Sequence, residues 1–155
     1  MVTTAPQAPI EILDSAAISV LIAHRFPFLL VDRIEIVEPG RRVIGRKRIS
    51  AGEWWAEGAT EQEVALPFGL VIKAMAQTSA GLMRDLIDGA NGTIAYVMGV
   101  THVRIRRRAR PGEELLMELT LSQWRRGLCR AHGVAAIDGH LVASADLTTI
   151  VRSVE

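Results

Sequence analysis

Strand-like segments bounded by turn residues make up most of this chain, and one long apolar stretch stands apart from them. FLLVDRIEIV (28–37) and RRVIGRKRIS (41–50) read as two strands around an EPG turn at 38–40, the second strand with its basic positions exposed. Further strand-like segments cover 93–100, 102–108, 113–124 and 128–138, with a last one at 140–151; RPG, RRG and DG separate several of them. Between the two groups runs LPFGLVIKAMAQTSAGLM (66–83), apolar nearly all round. Pro67 suits a first helical turn, and DGANG stops the pattern after Ile87. At about 1.5 Å per residue this helix would be roughly 30 Å long. A short helix is predicted at 16–22 with Asp14 or Ser15 as N-cap, and 51–65 reads as a loop. One apolar helix among several strands predicts an α+β fold, an antiparallel sheet wrapped around a central helix. The predicted organisation is a flexible tail at 1–10 and a single domain at 11–155.

Composition narrows the function classes. A chain of 155 residues that is 49% hydrophobic supports one domain with one core. A net charge of +1 gives no general attraction to nucleic acid or to an anionic membrane, and no apolar run reaches the roughly 20 residues of a membrane span. No basic stretch followed by an apolar segment opens the chain, so a cytoplasmic location is expected. The single cysteine, Cys129, excludes an internal disulfide and reads as a buried apolar residue. No metal or cofactor site is expected.

One charge, Lys73, interrupts the apolar run. A buried, unpaired ammonium is costly and either loses its proton or finds a partner. Lys73 is therefore paired, at the edge of a cavity, or standing where another residue type would be expected.

The motifs HRFPFLLVDR (24–33), AMAQ (74–77) and VTHVRIRRRARPGEEL (100–115) resemble those of the bacterial 3-hydroxyacyl-acyl carrier protein dehydratases of the FabA/FabZ type. The similarity runs from about Ile18 to Val151. The resemblance implies a hot-dog fold, a dimer sharing one extended sheet, and an acyl chain delivered on the phosphopantetheine arm of a carrier protein. It also implies a two-residue chemistry. A histidine in a Gly-His-Phe-Pro loop and a carboxylate on the central helix, from opposite subunits, remove a proton beside the thioester carbonyl and expel the 3-hydroxyl as water.

Counted back from AMAQ, the family's acid falls on Lys73 and its histidine on Ala59. Gly58 matches the loop glycine, while Thr60 and Glu61 replace Phe and Pro. Trp54 and Trp55 stand one residue from the family's aromatic pair, and residues 34–101 contain no histidine that a shift could recover. No intact catalytic dyad is expected.

Glu57, Glu61 and Glu63 flank the missing histidine and are read either as substitute carboxylates, as in hot-dog thioesterases, or as solvated acids near a helix N-terminus. Lys73 is read either as a desolvated base or as the partner of Glu57 or Glu61 in an ion pair, within the subunit or across a dimer. His24 is structural by resemblance; His102, His132 and His140 lie on strands or turns as surface or core residues. EWWAE (53–57) lines a pocket mouth or simply packs.

Arg104, Arg106, Arg107, Arg108 and Arg110 form a predicted positive patch, with Val103 and Ile105 alternating as on a half-buried strand. By resemblance this patch docks an acidic carrier protein, and nucleic acid is disfavoured by the near-zero net charge and 5% aromatic content. The leading expectation is a dehydratase-like protein of fatty-acid or polyketide synthesis that is inactive by itself. It would be an accessory subunit, either homodimeric or paired with an intact homologue, or a carrier-protein binder. The alternatives are an active thioesterase or dehydratase using the loop glutamates or Lys73, and a scaffold with no acyl ligand.

Overall fold

The computed structural model describes Pro9, residues 11–87 and residues 92–153. In chain order the elements are β1 (Glu11–Leu13), α1 (Ser15–Leu21), β2 (Arg33–Glu38), β3 (Arg42–Arg48), α2 (Phe68–Ser79), β4 (Thr93–Ile105), β5 (Glu114–Arg125), β6 (Leu128–Ile137) and β7 (His140–Ser153). Single 3₁₀ turns lie at Trp54–Ala56 and Ala80–Met83. The strands form one seven-stranded antiparallel sheet in the order β1-β2-β3-β5-β6-β7-β4. This is the predicted α+β architecture, with α2 lying on one face of the sheet.

Period-two alternation decides which side chains meet that helix. Val43, Leu115, Met117, Leu119, Cys129 and Ala131 are buried, while Arg130 and His132 between and beyond them are exposed. The helix approaches closely where the sheet carries glycine. A Cβ at Gly45 would lie 2.1 Å from Thr78 Oγ1, and one at Gly133 would lie 2.5 Å from Met75 Cε. Strand glycines cost stability by themselves, and here they make room for α2.

Several boundaries differ from the sequence reading. The α-helix ends at Ser79, so it spans about 18 Å rather than 30. The apolar pattern continues because the following 3₁₀ turn lays Gly81 against Ile34 and Val43. Residues 88–91 of the stop signal, and the tail apart from Pro9, lie outside the described residues. The segments read as 93–100 and 102–108 are one strand that ends at Ile105, and His102 (φ 51°) sits in an irregularity between Thr101 and Arg104. β1 was too short to show a period. Asp14 is the N-cap, accepting from the Ala17 amide at 2.9 Å.

β3 was read with its basic residues exposed, and this needs correction. Lys47 is 3% exposed, because it follows Val43 and Gly45 on the inward register. Its Nζ meets Glu53 at 2.9 Å. Arg46 lies partly buried between Glu35 and Glu114. Arg41 and Arg48 remain in solvent.

Candidate functional site

A cavity of about 520 Å³ opens between the end of α1, one side of α2, and β4. Its walls are mostly apolar: Ile72, Ala76, Met83, Ile94 and Val97 contribute. Lys73 and His24 also line it, and among the described residues no carboxylate does. Lys73 lies at a cavity edge, one of the three places open to it.

The ammonium of Lys73 lies 4.7 Å from the centre of the Phe28 ring, a cation–π contact. Phe28 meets Trp54 edge-on, with centroids 5.6 Å apart and an interplanar angle of 71°. Trp54 in turn donates its indole N–H to the Pro27 carbonyl at 2.9 Å. The segment carrying Phe28 is pinned to the helix by Gln77, the last residue of AMAQ. Its Oε1 accepts from the amides of Leu30 (2.9 Å) and Val31 (3.3 Å), and its Nε2 donates to the Phe28 carbonyl (2.6 Å). His24 stands at the mouth of the cavity. Partial burial first, and the Lys73 charge second, hold its pKa below the ordinary imidazole value.

The expected ion pair of Lys73 with Glu57 or Glu61 does not form within the chain. Among the described residues no carboxylate reaches the Lys73 ammonium. Glu57 and Glu61 are exposed loop acids outside the cavity lining. Glu63 accepts from the Thr60 hydroxyl at 2.8 Å and is exposed as well. Ala59 is exposed on a turn, its amide donating to the Ala56 carbonyl at 3.2 Å after Gly58 adopts a left-handed φ of 77°. The loop is anchored at its start by Glu53, which the sequence reading passed over. Burial alone would raise the Glu53 carboxyl, but hydrogen bonds from Lys47, the Trp55 indole and the Ser50 amide hold it below the ordinary value. The signal for this cluster was available in the alternation that turns Lys47 inward.

The arginines do not act as one patch. Arg107 forms an ion pair with Glu113. Arg108 and Arg110 reach the carbonyls of Glu63 (3.5 Å) and Gln62 (3.0 Å), so both tie down the loop. Among the described residues, the side chains of Arg104 and Arg106 are exposed and have no partner. Val103 and Ile105, expected half-buried, are exposed beside them, because β4 is an edge strand with one side open. A second basic cluster escaped the sequence reading: Arg125, Arg126, Arg130 and Arg152 surround a cleft at the β5–β6 hairpin. Arg125, Arg126 and Arg130 are close in sequence, and the pairing of β6 with β7 adds Arg152.

His102 and His132 both meet Asp146, at 2.9 and 2.6 Å, on the exposed sheet face. Cys129 is buried, and burial pushes its thiol up to about 11.

A family model described as the FabA-like domain matches residues 22–146. The chain is 39% identical over 141 residues to a 3-hydroxyacyl-[acyl-carrier-protein] dehydratase FabZ from Syntrophotalea carbinolica, covering 91% of this chain and 94% of the relative. The chain belongs to the FabA-like family. A FabZ dehydratase from Bacillus velezensis is likewise 39% identical, over 88% of this chain and 96% of its own. Among solved structures, the dehydratase heterocomplex ApeI:P from Xenorhabdus doucetiae matches with a TM-score of 0.72 at 17% identity, covering 88% of this chain and 91% of that one. A hypothetical thioesterase with coenzyme A from Streptococcus pneumoniae matches at 0.57 and 13% identity, covering 77% and 86%. These neighbours share the hot-dog fold, and the chain is FabZ-like by its relatives. Among the described residues of this family member, no helix is long and apolar enough to cross a membrane.

Proposed function

We propose that this FabZ-like chain serves 3-hydroxyacyl thioester dehydration as an accessory subunit that is catalytically silent by itself, in fatty-acid or polyketide synthesis. One observation carries the reading: the apolar cleft holds a lysine at the helical position that the resemblance gives to the acid, and no carboxylate lines it among the described residues. Elimination of the 3-hydroxyl needs a base and an acid placed together. Ala59 supplies neither, and Glu57 and Glu61 point to no cleft role from their exposed loop.

The edge strand supports assembly. Tyr96, Val97, Met98 and Val100 on β4 are exposed apolar residues along an unpaired edge. Such an edge invites strand addition by a second subunit. In a heterodimer with an intact homologue and composite sites, Ala59 would spoil one site and Lys73 the other. A productive partner therefore brings both groups on one chain, or uses a group from this one. The fold neighbour described as a dehydratase heterocomplex is an instance of a mixed assembly on this fold. The acyl chain arrives on a carrier protein, with exposed Arg104 and Arg106 as docking charges.

The names of the curated relatives favour a second reading, a dehydratase active by itself. Co-expression with an intact FabZ homologue and the carrier protein, followed by size-exclusion chromatography and a dehydration assay, separates the two. The accessory reading expects a mixed complex whose rate or chain-length preference differs from the homologue alone. Separate elution with an unchanged rate would refute it.

A further inference from the structure

We infer that a second copy of this chain adds along β4 and sets a loop acid, Glu57 or Glu61 of the partner subunit, against Lys73, so that an ion pair between the subunits closes each cleft. The inference deepens the reading that the β4 edge takes a second subunit, and it does not depend on the cleft being silent in dehydration.

The edge comes first. β4 pairs with β7 on one side only, and Tyr96, Val97, Met98, Val100, Val103 and Ile105 are exposed along it. An unpaired edge carrying that much apolar surface is open to a further strand. Every strand pair in the sheet is antiparallel. A copy related by a two-fold axis continues that pattern and covers the same residues on both subunits.

Antiparallel addition decides what meets the cleft. Ile94, Ala95, Tyr96 and Val97, near the start of β4, line the cleft together with Lys73. The 57–63 loop is tied beyond the other end of the strand. Arg108 and Arg110 donate to the carbonyls of Glu63 (3.5 Å) and Gln62 (3.0 Å), and the Leu66 amide donates to the Ala109 carbonyl (2.8 Å). In the pair, the end of one β4 lies beside the start of the other, so each loop is carried toward the other subunit's cleft.

Charge completes the match. Within the chain the Lys73 ammonium has the Phe28 ring and no carboxylate. Among the described residues, the side chains of Glu57 and Glu61 are exposed and without a partner, and neither lines its own subunit's cleft. An ammonium enclosed by a second subunit without a counter-charge is costly, whereas a paired one is tolerated. Arg104 and Arg106, the exposed cations of this segment, lie at the opposite end of β4 from Ile94 and so away from the partner's loop.

The test is a charge swap read by sedimentation equilibrium of the full chain. Lys73→Glu sets like charges at both contacts of the dimer, and so does Glu57→Lys with Glu61→Lys. Each variant alone is expected to dissociate at least about tenfold more readily than the parent, because like charges juxtaposed across an interface oppose association. Mixed together, the two variants restore opposite charges at both contacts, so a mixed dimer is expected with an affinity within roughly threefold of the parent's. The loop variant changes only exposed side chains and keeps its fold, which guards against a Lys73→Glu chain that fails to fold. The parent dimer is also expected to weaken with salt more steeply than that of Lys73→Met. A loop variant that dimerises as tightly as the parent overturns the ion pair, as does a mixture of folded variants that shows no preference for the mixed dimer; the edge reading then stands. A parent that dimerises only with an intact homologue overturns the self-pairing, and one that stays monomeric in every mixture overturns the edge reading as well.

Discussion

Gln77→Leu removes the amide that fastens the HRFPF segment to the central helix. Leucine is close in volume, so the change tests hydrogen bonding rather than packing. Gln77 is 3% exposed, and Leu30 and Val31 are each 2% exposed. The Leu30 amide, buried away from solvent, loses a 2.9 Å partner. The Val31 amide loses a weaker one at 3.3 Å, and the Phe28 carbonyl, nearer solvent, loses a 2.6 Å donor. An unsatisfied buried group costs about 1–3 kcal/mol. Counting the first loss in full and the others in part gives about 3 kcal/mol. For a chain of this size that lowers Tm by roughly 6–12 °C. Thermal unfolding by circular dichroism measures it. Tryptophan fluorescence reports the same segment, because Trp54 donates to Pro27 beside it. Gln77→Glu keeps the acceptor for Leu30 and Val31 but buries a carboxylate against the Phe28 carbonyl, so its Tm is expected to fall at least as far as that of the leucine variant. A leucine variant within about 2 °C of the parent would refute the reasoning.

Gly45→Ala places a methyl group 2.1 Å from Thr78 Oγ1 on a stiff β-branched side chain, and we expect a loss of about 2–3 kcal/mol in denaturant unfolding. Glu53→Gln removes the counter-charge of buried Lys47 and is expected to cost roughly 2 kcal/mol at pH 7. Because the folded pKa of Glu53 is depressed, its stabilisation is present above the ordinary value of 4.5 and is lost as pH falls through the folded pKa; stability against pH is therefore flatter below 4.5 in the variant. Arg104→Glu with Arg106→Glu is expected to weaken carrier-protein binding and its salt dependence, measured by titration at two ionic strengths. Arg107→Glu breaks the Glu113 ion pair and is expected to lower Tm instead.

Much of the fold was legible because two periods differ so sharply here. β3, β5, β6 and β7 alternate over much of their length, and the run at 66–83 does not. The end of α2 was not legible, since a 3₁₀ turn buries Ala80–Met83 as completely as another α-helical turn would. The irregularity at His102 was hidden too, because a register shift leaves no composition signal. In the site, Lys73 stood out as a charge in an apolar helix, and a cavity edge was one of three places the sequence left open for it. Its partner did not follow. The chain supplies Phe28, brought in from a separate segment by Gln77, where simple charge pairing suggested Glu57 or Glu61. His24 was read as structural from its motif, and only the packing of α1 and α2 places it on the same cleft.

The central claim is that the cleft lacks the groups for dehydration. Its most direct test is a dehydration assay of the isolated protein with 3-hydroxyacyl thioesters on the carrier protein. The account predicts no enoyl product beyond the protein-free control. Turnover that survives thorough removal of contaminating dehydratase, and that Lys73→Met abolishes, would contradict it.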